Sequence, residues 1–274
     1  MKILITGANG FIGRHIKNAL AAEHQLITPT HQQVDFSTAI PVEHWKYLLE
    51  GVDVVINCVG IIVERKNQTF SDIHTTAPIV LFKACLKSNV KRIIQISALG
   101  ADKDAVVPYH ISKLTADNAL RELDILSFIL RPSLVYGEGG TSFKLFKRLA
   151  SLPMLLLPCG GVQQIQPVHI SDLVKTVEQS LLIEKSQTID VVGPDSMSLA
   201  EYIQKIRSSM GKGIAKVIPI PIQVAMALSS VLHYLMPILH PDNLRMLQQG
   251  NTADVAPLIA FISVPPIAIE EVLG

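Results

Sequence analysis

The segment KILITGANGFIG at the N-terminus constrains the fold of this chain more than any other stretch. The apolar run Ile3-Leu4-Ile5 leads into a turn with glycines at 7, 10 and 13, and the apolar-periodic segment 11–20 follows. This order predicts a β-strand, a tight turn and the start of an α-helix. The first N–H groups of a helix lack backbone partners and carry the positive end of its dipole, so the turn predicts an anion site.

Each glycine has a separate predicted task in binding the pyrophosphate of a dinucleotide. Gly7 permits the sharp turn, Gly10 lets the backbone approach the pyrophosphate, and Gly13 lets the helix pack closely on the strand. Glycine-rich turns also occur for purely structural reasons. The position of this one, after a strand and before a helix, favours the dinucleotide interpretation.

Apolar runs alternate with helical patterns over the first two-thirds of the chain, which predicts an α/β Rossmann fold with a doubly wound parallel sheet. The predicted strands are Lys2–Thr6, Gln25–Thr28, Gln33–Phe36, Val52–Asn57, Arg92–Ser97, Ile125–Arg131 and Thr188–Val191. The predicted helices between them are Phe11–Ala22, Val42–Glu50, Asp72–Ser88, Tyr109–Glu122 and Ser171–Ile183. Only Pro29–Gln32 separate the second and third predicted strands, too few for a crossover helix, so Gln33–Phe36 is either a short strand reached by a bend or a loop.

The alternation breaks down after Tyr136, where we predict a small C-terminal α/β substrate lobe. Residues 1–136 with 162–192 are predicted to form the Rossmann core, and 137–161 with 193–274 the lobe. Within the lobe we predict helices at Ser142–Ala150 and Ser198–Met210, a loop at Leu152–Gly161, and a turn with a short strand at Gly211–Pro221. The tail FISVPPIAIEEVLG, residues 261–274, is predicted to be a loosely packed end of the chain.

With Thr6, the glycine spacing TGxxGxxG resembles that of the extended, epimerase-like branch of the short-chain dehydrogenases/reductases. That resemblance implies a Tyr-x-x-x-Lys motif on a later helix, with a Ser or Thr shortly before it. Tyr109 and Lys113 supply the motif, and Ser97 ends the preceding strand. The resemblance therefore implies that Tyr109, Lys113 and Ser97 are catalytic. In this interpretation Lys113 also binds the cofactor ribose, and Ser97 orients the substrate oxygen.

The chemistry of the pair is plausible on elementary grounds. A phenol has a pKa of about 10, and both a Lys ammonium one turn away and an oxidised nicotinamide favour the phenolate. Tyr109 would then exchange a proton with a substrate hydroxyl or carbonyl during hydride transfer. Twelve positions separate Ser97 from Tyr109, a shorter loop than is usual in the extended branch.

The same resemblance implies further cofactor contacts along the chain. Asp35 matches the residue next to the adenine, the turn Cys58-Val59-Gly60 passes the adenosine ribose, and Pro132 belongs to the RPxxVYG segment. His169 and Asp172 match a P-x-H-V-x-D segment, for which a structural role is favoured. The predicted residues of the glycine turn itself are Thr6, Gly7, Asn9, Gly10, Phe11, Ile12, Gly13 and Arg14.

The preference between the two dinucleotides depends on charge near the second strand. An NAD site usually has an acidic residue at the end of that strand, but residues 26–31 contain none. Arg14 follows the last glycine, and a guanidinium there can pair with a 2′-phosphate, with Thr30 or His31 assisting. A solvated helix residue is the alternative for Arg14. The sequence favours NADP(H) over NAD(H).

Several longer phrases, such as QISALGAD and GPDSMSLAEYIQKI, resemble the family of the NADPH-binding accessory subunit of respiratory complex I. Members of that family include proteins that bind NADPH in a structural role, so two functions stay open. One is an NADP(H)-dependent oxidoreductase or epimerase acting on a small hydroxyl or carbonyl substrate, with sugar nucleotides among the candidates. The other is a non-catalytic NADP(H)-binding module that docks a membrane-associated partner.

Charge and cysteine content indicate which classes of partner and which cellular compartment to expect. The net charge of +1 gives no indication of a nucleic-acid surface, and three widely spaced cysteines favour a reducing cytoplasm over disulfides or a metal site. The first strand begins at the N-terminus, so we expect no signal peptide. The almost uncharged segment 220–239 is too short and interrupted to span a membrane. It predicts a buried lobe helix, or a surface for a peripheral membrane or protein partner; the sequence predicts no oligomeric state.

Overall fold

The computed structural model describes residues 1–38, 40–232 and 240–273. The chain forms two compact units. Unit 1 consists of Met1–Pro132 and Leu173–Val191, and unit 2 of Ser133–Asp172 and Val192–Gly274.

The strands and helices follow one another closely along the chain. The strands are β1 (Lys2–Thr6), β2 (Gln25–Ile27), β3 (Val54–Asn57), β4 (Arg92–Ile96), β5 (Leu126–Pro132), β6 (Val135–Tyr136), β7 (Met154–Pro158), β8 (Gln164–Ile165), β9 (Val168–His169), β10 (Gln187–Val191), β11 (Met197–Ser198) and β12 (Lys216–Ile220). The helices are α1 (Phe11–Leu20), α2 (Val42–Leu48), α3 (Ala77–Lys87), α4 (Pro108–Arg121), α5 (Thr141–Ala150), α6 (Ile170–Ser180), α7 (Leu199–Ser209), α8 (Ile222–Leu232), α9 (Pro241–Gln249), α10 (Ala256–Ile262) and α11 (Ile269–Leu273).

Unit 1 contains a parallel sheet with the strand order β10-β5-β4-β3-β1-β2. From β1 the chain moves to β2 on one side and then crosses to β3 on the other. The strand order therefore reverses between β1 and β3, whose last residues Thr6 and Asn57 are paired. In open α/β sheets, ligands bind at the carboxyl ends of the strands at such a switch point. The predicted Rossmann fold is confirmed.

Near-continuous apolar strands predicted a sheet covered on both faces, and burial agrees with this. Ile3, Leu4 and Ile5 of β1 are all fully buried, although successive side chains point to opposite faces. A cluster of core residues that includes Trp45 and Phe82 packs on the sheet. This core holds the strand ends, and with them the glycine turn, in a fixed arrangement.

Residues Gln33–Phe36 form a loop, the second of the two predicted alternatives. The N–H groups of Gln33 and Val34 both donate to the carbonyl of Thr30, so they form a turn and do not pair with a neighbouring strand. Val34 and Phe36 are nevertheless buried, and Phe36 packs edge-to-face on Trp45. The apolar pattern reflects this burial and not strand pairing.

The predicted helix Asp72–Ser88 is divided into two parts. A π-helical turn at Ser71–Thr76 precedes α3, and Pro78 lies at the start of α3. Proline has no N–H to donate to the residue four positions earlier, which is His74. A wider π-turn accommodates the missing hydrogen bond, and such turns are frequent at functional sites.

The prediction of a loop at Leu152–Gly161 is wrong, because β7 lies within it. Met154–Pro158 pairs in parallel with β12 in unit 2. Leu155 and Leu157 are buried, whereas Met154 and Leu156 are exposed. The partner strand lies about sixty residues later in the chain, so the sequence around β7 indicates a strand only through this alternation of buried and exposed residues.

The prediction of a loosely packed C-terminal end is also wrong. Residues 256–273 contain α10 and α11, and Leu258, Phe261 and Ile269 are buried. The N–H of Ile267 donates to Asp172 at 3.0 Å. Asp172 therefore holds the C-terminal segment, which supports the structural role favoured for it.

The predicted partner segment 220–239 is described only in part. Residues 233–239 lie outside the described residues, and 222–232 form α8. Val224 and Leu228 of α8 are about half exposed, at 47% and 46%, so the described part is not a fully buried lobe helix. In the described parts of the chain, no helix is both long and apolar enough to cross a membrane.

Candidate functional site

The glycine turn between β1 and α1 is packed so tightly that two of its positions have no room for a side chain. Gly7 has φ +70°, and a Cβ there would lie 2.9 Å from the carbonyl carbon and oxygen of Cys58. A Cβ on Gly13 would lie 2.3 Å from the carbonyl oxygen of Gly7. The N–H of Gly10 donates to that same oxygen at 2.9 Å. The turn thus packs against both α1 and the turn that follows β3.

The first turn of α1 has the features that were predicted for an anion site. Its N-cap is Gly10, no side chain caps the helix, and the first turn contains no acidic residue. Arg14 lies in this turn and is exposed. A cation at the positive end of a helix dipole is unfavourable by itself, and an anion bound there would compensate for it. Of the other predicted contacts, Asn9 is exposed and Phe11 and Ile12 are half-buried.

A chain of buried hydrogen bonds fixes the carboxyl ends of β1, β3 and β4. The Thr6 hydroxyl donates to Asn57 Oδ1 at 2.6 Å, and Asn57 Nδ2 donates to Gln95 Oε1 at 2.7 Å. The N–H of Cys58 donates to the carbonyl of Thr6 at 3.1 Å. The Thr6 side chain, predicted to bind cofactor, therefore binds the next strand. It supports the glycine turn from within the protein.

Tyr109 and Lys113 share one face of α4, and Lys113 reaches towards the glycine turn. Its Nζ donates to the carbonyls of Ile96 at 3.0 Å and Val59 at 3.5 Å. A Cβ on Gly60 would lie 3.2 Å from the same Nζ. Lys113 therefore contacts the predicted ribose turn Cys58-Val59-Gly60, which itself packs on Gly7. The predicted acid/base pair and the predicted nucleotide turn converge within unit 1.

Burial, and not the neighbouring lysine, dominates the titration of Tyr109. Desolvation raises the pKa of Tyr109 to about 12. Desolvation also lowers the pKa of Lys113 to about 8, against the opposing effect of Asp117. Burial therefore decides the titration of the Tyr109 phenol in this structure, and the support of a phenolate by Lys113 stays a prediction. The phenol is protonated at neutral pH, while Lys113 still carries most of its charge.

Ser97 has a different partner from the expected substrate oxygen. Its hydroxyl donates to Asp117 Oδ2 at 2.5 Å, and both residues are buried. Burial raises the pKa of Asp117 to about 6, although the hydrogen bond from Ser97 opposes this. Because the Ser97 hydroxyl donates its hydrogen bond to Asp117, it can only accept a hydrogen bond from a substrate group.

His74 is a buried neighbour of Tyr109 that the sequence analysis missed. The N–H of Ile61 donates to His74 Nε2 at 3.0 Å, so the proton lies on Nδ1, which faces Ser112 Oγ at 3.0 Å. Ser112 in turn donates to the carbonyl of Tyr109 at 2.8 Å. The rings of His74 and Tyr109 pack edge-to-face with centroids 5.3 Å apart. Burial, with Lys113 adding to it, lowers the pKa of His74 to about 2, so its ring is neutral.

Two of the predicted adenosine contacts, His31 and Asp35, lie in the loop that follows β2. His31 Nε2 lies 3.4 Å from Asp35 Oδ1, so the two interact with each other. Asp35 also accepts from the N–H and hydroxyl of Ser37, which lowers its pKa although partial burial opposes this. Pro132 is buried at the end of β5, and its carbonyl accepts from the N–H of Leu99.

The family match agrees with this geometry. A model of the NAD dependent epimerase/dehydratase family matches residues 3–186, which include the glycine turn, Tyr109 and Lys113. The chain belongs to this family. The predicted resemblance is confirmed, and the family is one of NAD(P)-binding proteins.

Two named relatives illustrate the range of the family. The NADH-ubiquinone oxidoreductase 40 kDa subunit of Neurospora crassa is 27% identical over 74% of this chain and 58% of that protein. A ceramide reductase of Caulobacter vibrioides is 27% identical over 62% of this chain and 57% of that protein. The chain thus spans well under two-thirds of either relative, so their activities remain proposals for this chain.

Solved structures show that the fold is shared with sugar-nucleotide enzymes. The UDP-N-acetylglucosamine 4-epimerase of Bacillus cereus superposes with a TM-score of 0.74 at 19% identity, over 100% of this chain and 98% of that one. The dTDP-4-dehydrorhamnose reductase of Bacillus anthracis, in complex with NADP, gives a TM-score of 0.70 at 20% identity, over 81% and 85%. At this identity the likeness establishes the fold alone.

Proposed function

We propose that this protein is an NADP(H)-dependent oxidoreductase or epimerase that acts on a hydroxyl or carbonyl substrate. One observation carries the proposal: Lys113 contacts the turn that packs on Gly7, so the acid/base pair and the nucleotide turn form one site. If the glycine turn and the Tyr109/Lys113 motif had arisen independently by chance, we would not expect the fold to bring them into contact.

The residues present fit a dinucleotide. Gly10 is exposed and a Cβ there would meet only the carbonyl oxygen of Gly7, so a pyrophosphate can approach the backbone at this position, and the uncapped start of α1 offers it N–H groups. Arg14 is the exposed cation at this helix end, which favours the 2′-phosphate of NADP(H). His31 and Asp35 remain proposed contacts of the adenosine end. The cofactor, when bound, supplies or accepts the hydride.

The proton chemistry assigns Tyr109 as the group that exchanges a proton with the substrate oxygen. With a pKa raised to about 12, its phenol carries its proton near neutral pH, so in this state it can donate to a carbonyl that is being reduced, whereas oxidation of a hydroxyl requires the phenolate. The charge retained by Lys113 would stabilise the phenolate left behind. Ser97 acts through Asp117 and positions α4, with its lone pairs facing any substrate group.

Replacing Tyr109 by Phe tests the acid/base role. The ring packing on Phe70 and His74 is retained, but no proton is available, so we expect hydride transfer to fall by about 10²-fold or more. NADPH oxidation is followed with a panel of aldehydes, ketones and sugar-nucleotide ketones. NADPH affinity and melting temperature should change little. Wild-type rates in the variant would overturn the role of Tyr109.

Replacing Arg14 by Ala tests the cofactor preference. Loss of a charge-assisted contact to the 2′-phosphate should weaken NADPH binding by about tenfold or more and leave NADH binding unchanged. Lys17→Ala, on the same helix but in its last turn, is the matched control. Fluorescence titration with both dinucleotides gives the four affinities. Equal losses for NADPH and NADH would contradict a 2′-phosphate contact.

The second candidate function is a non-catalytic NADP(H)-binding module that docks a membrane-associated partner. The relative from Neurospora crassa is named as a subunit of a larger assembly, and α8 has no charged residue while exposing Val224 and Leu228. Dinucleotide that stays bound through purification, fails to exchange and gives no hydride transfer with any carbonyl would favour this function. Rapid exchange would favour the enzyme.

A further inference from the structure

An exposed apolar surface lies on the two-stranded sheet of unit 2. Alternate residues of β7 point to opposite sides, so Leu155 and Leu157 pack into the core of the unit. Met154 and Leu156 point outwards and are 49% and 59% exposed. Ile218 and Ile220 of β12 share this outward face, because paired residues of neighbouring strands point to the same side.

The loop before β12 extends this surface at one end. Ile214 is 93% exposed, and Met210 and Leu152 are also exposed. The Lys212 ammonium donates to the carbonyl of Ser151 at 3.2 Å, which holds the loop beside the start of β7. We call the outward-facing residues Met154, Leu156, Ile218 and Ile220, together with the neighbouring exposed residues Leu152, Met210 and Ile214, the β7–β12 surface. Single exposed apolar residues are normal, but a group of them on one unit is typical of an interaction surface.

Positive charge accompanies this surface without acidic residues nearby in the sequence. Lys216 is paired with Met154 and shares its face, and Lys212 lies beside Leu152. No Asp or Glu occurs in residues 139–171 or 202–241, which contain β7, β12 and the loop between α7 and β12. Arg148, in the last turn of α5, adds a further exposed cation shortly before Leu152. The local charge is positive although the whole chain has a net charge of only +1.

We propose that the β7–β12 surface docks onto the surface of an anionic lipid bilayer. The apolar side chains would enter the interface between headgroups and acyl chains, and the lysines would face the lipid phosphates. Addition of a peptide strand is disfavoured, because Pro219 lies within β12 and Pro153 and Pro158 bracket β7. The proposal does not depend on the cofactor or on turnover.

Vesicle flotation with the full chain tests the proposal. We expect binding to vesicles of phosphatidylcholine mixed with phosphatidylglycerol, weaker binding to phosphatidylcholine alone, and weakening by salt. Leu156→Glu combined with Ile214→Glu, and separately Lys212→Glu combined with Lys216→Glu, should each lower the apparent affinity by about tenfold or more. All four side chains are exposed, so the melting temperature should be unchanged.

Leu182→Glu is the matched control, since Leu182 is an apolar side chain of unit 1 that is 72% exposed. It should bind the mixed vesicles as the wild type does. The proposal is overturned if the wild type fails to bind the mixed vesicles, or binds both vesicle types equally. It is also overturned if Leu182→Glu loses as much affinity as the β7–β12 variants.

Discussion

Gly10 and Gly13 belong to one turn, but the space around them differs. A Cβ on Gly13 would lie 2.3 Å from the carbonyl oxygen of Gly7, a backbone atom that cannot move without opening the turn. A Cβ on Gly10 would lie 3.2 Å from the same oxygen, and its φ of −70° suits any residue. Gly13 is therefore required by the fold, whereas a Cβ on Gly10 requires a shift of only a few tenths of an ångström and would stand mainly in the way of what approaches the turn.

Alanine substitutions separate these two requirements. Gly13→Ala should lower the free energy of unfolding by about 1–3 kcal/mol through overpacking. Gly10→Ala should lower the melting temperature much less than Gly13→Ala does, and it should weaken NADPH binding by about tenfold, because the methyl group would stand where the pyrophosphate is proposed to approach. Thermal denaturation and nucleotide titration of both variants measure this. A destabilised Gly10→Ala with intact binding would contradict the assignment.

The positions of the motif residues could be predicted from the sequence, but their partners could not. The spacing of Tyr109 and Lys113 places both on one helical face, and the structure has them there. The side-chain oxygen that Ser97 binds depends on which strand faces which helix, and that is decided by tertiary packing. His74 could have been noticed from Pro78 four residues later, which disturbs a helix.

At the scale of the element, α4 carries three titratable groups on one face. Tyr109, Lys113 and Asp117 follow one another at intervals of four residues, and Asp117 is fully buried. The opposite charges of Lys113 and Asp117 support each other, while burial opposes both. The helix thus keeps a cation near the proposed reacting phenol at the cost of burying a carboxyl group.

The raised pKa of Asp117 predicts how stability depends on pH. Its folded value of about 6 exceeds the ordinary 3.8, so between these pH values the folded protein retains a proton that the unfolded chain has lost. Stability should therefore fall as pH rises from about 4 to about 6, and this fall should be absent in Asp117→Asn. Urea unfolding, followed by the fluorescence of the single tryptophan, Trp45, measures it.

Asp53→Asn gives a control of opposite sign. Hydrogen bonds from the N–H of Lys2 and from Lys91 lower the pKa of Asp53, so its contribution is present above its ordinary pKa and is lost as pH falls. Asp53→Asn should therefore keep the fall between pH about 4 and about 6 that Asp117→Asn lacks. An identical pH profile for wild type and Asp117→Asn would show that Asp117 titrates normally.

Elements of unit 1 were easier to predict than those of unit 2. In unit 1, strand and helix patterns alternate locally, and β1 begins and ends as predicted. In unit 2, β7 is defined by a partner far along the chain, and its prolines resemble those of a loop. Conversely, Gln33–Phe36 has the composition of a strand, but the chain turns there at Thr30, and Phe36 is buried against Trp45 without strand pairing. Local propensity is informative only where pairing is local.

At the scale of the whole molecule, unit 2 depends on the C-terminal part of the chain, which lies beyond the family match. The family match ends at residue 186, yet the core of unit 2 is completed by residues far beyond it. Asn251 Oδ1 accepts from the N–H of Leu134, and Asp172 accepts from that of Ile267. These hydrogen bonds join the C-terminal segment to the start of the unit. The segment is thus a structural part of unit 2.

Two substitutions in α11 test this role of the C-terminal segment. Ile269 is 4% exposed and packs in the core of unit 2, so Ile269→Ala should lower the free energy of unfolding by about 2–4 kcal/mol. Val272, in the same short helix, is 37% exposed, and Val272→Ala should change it by less than about 1 kcal/mol. Urea unfolding followed by far-ultraviolet circular dichroism compares the two. Equal small effects would mean that the segment is dispensable, because a side chain that contributes to a packed core cannot be shortened without leaving a cavity.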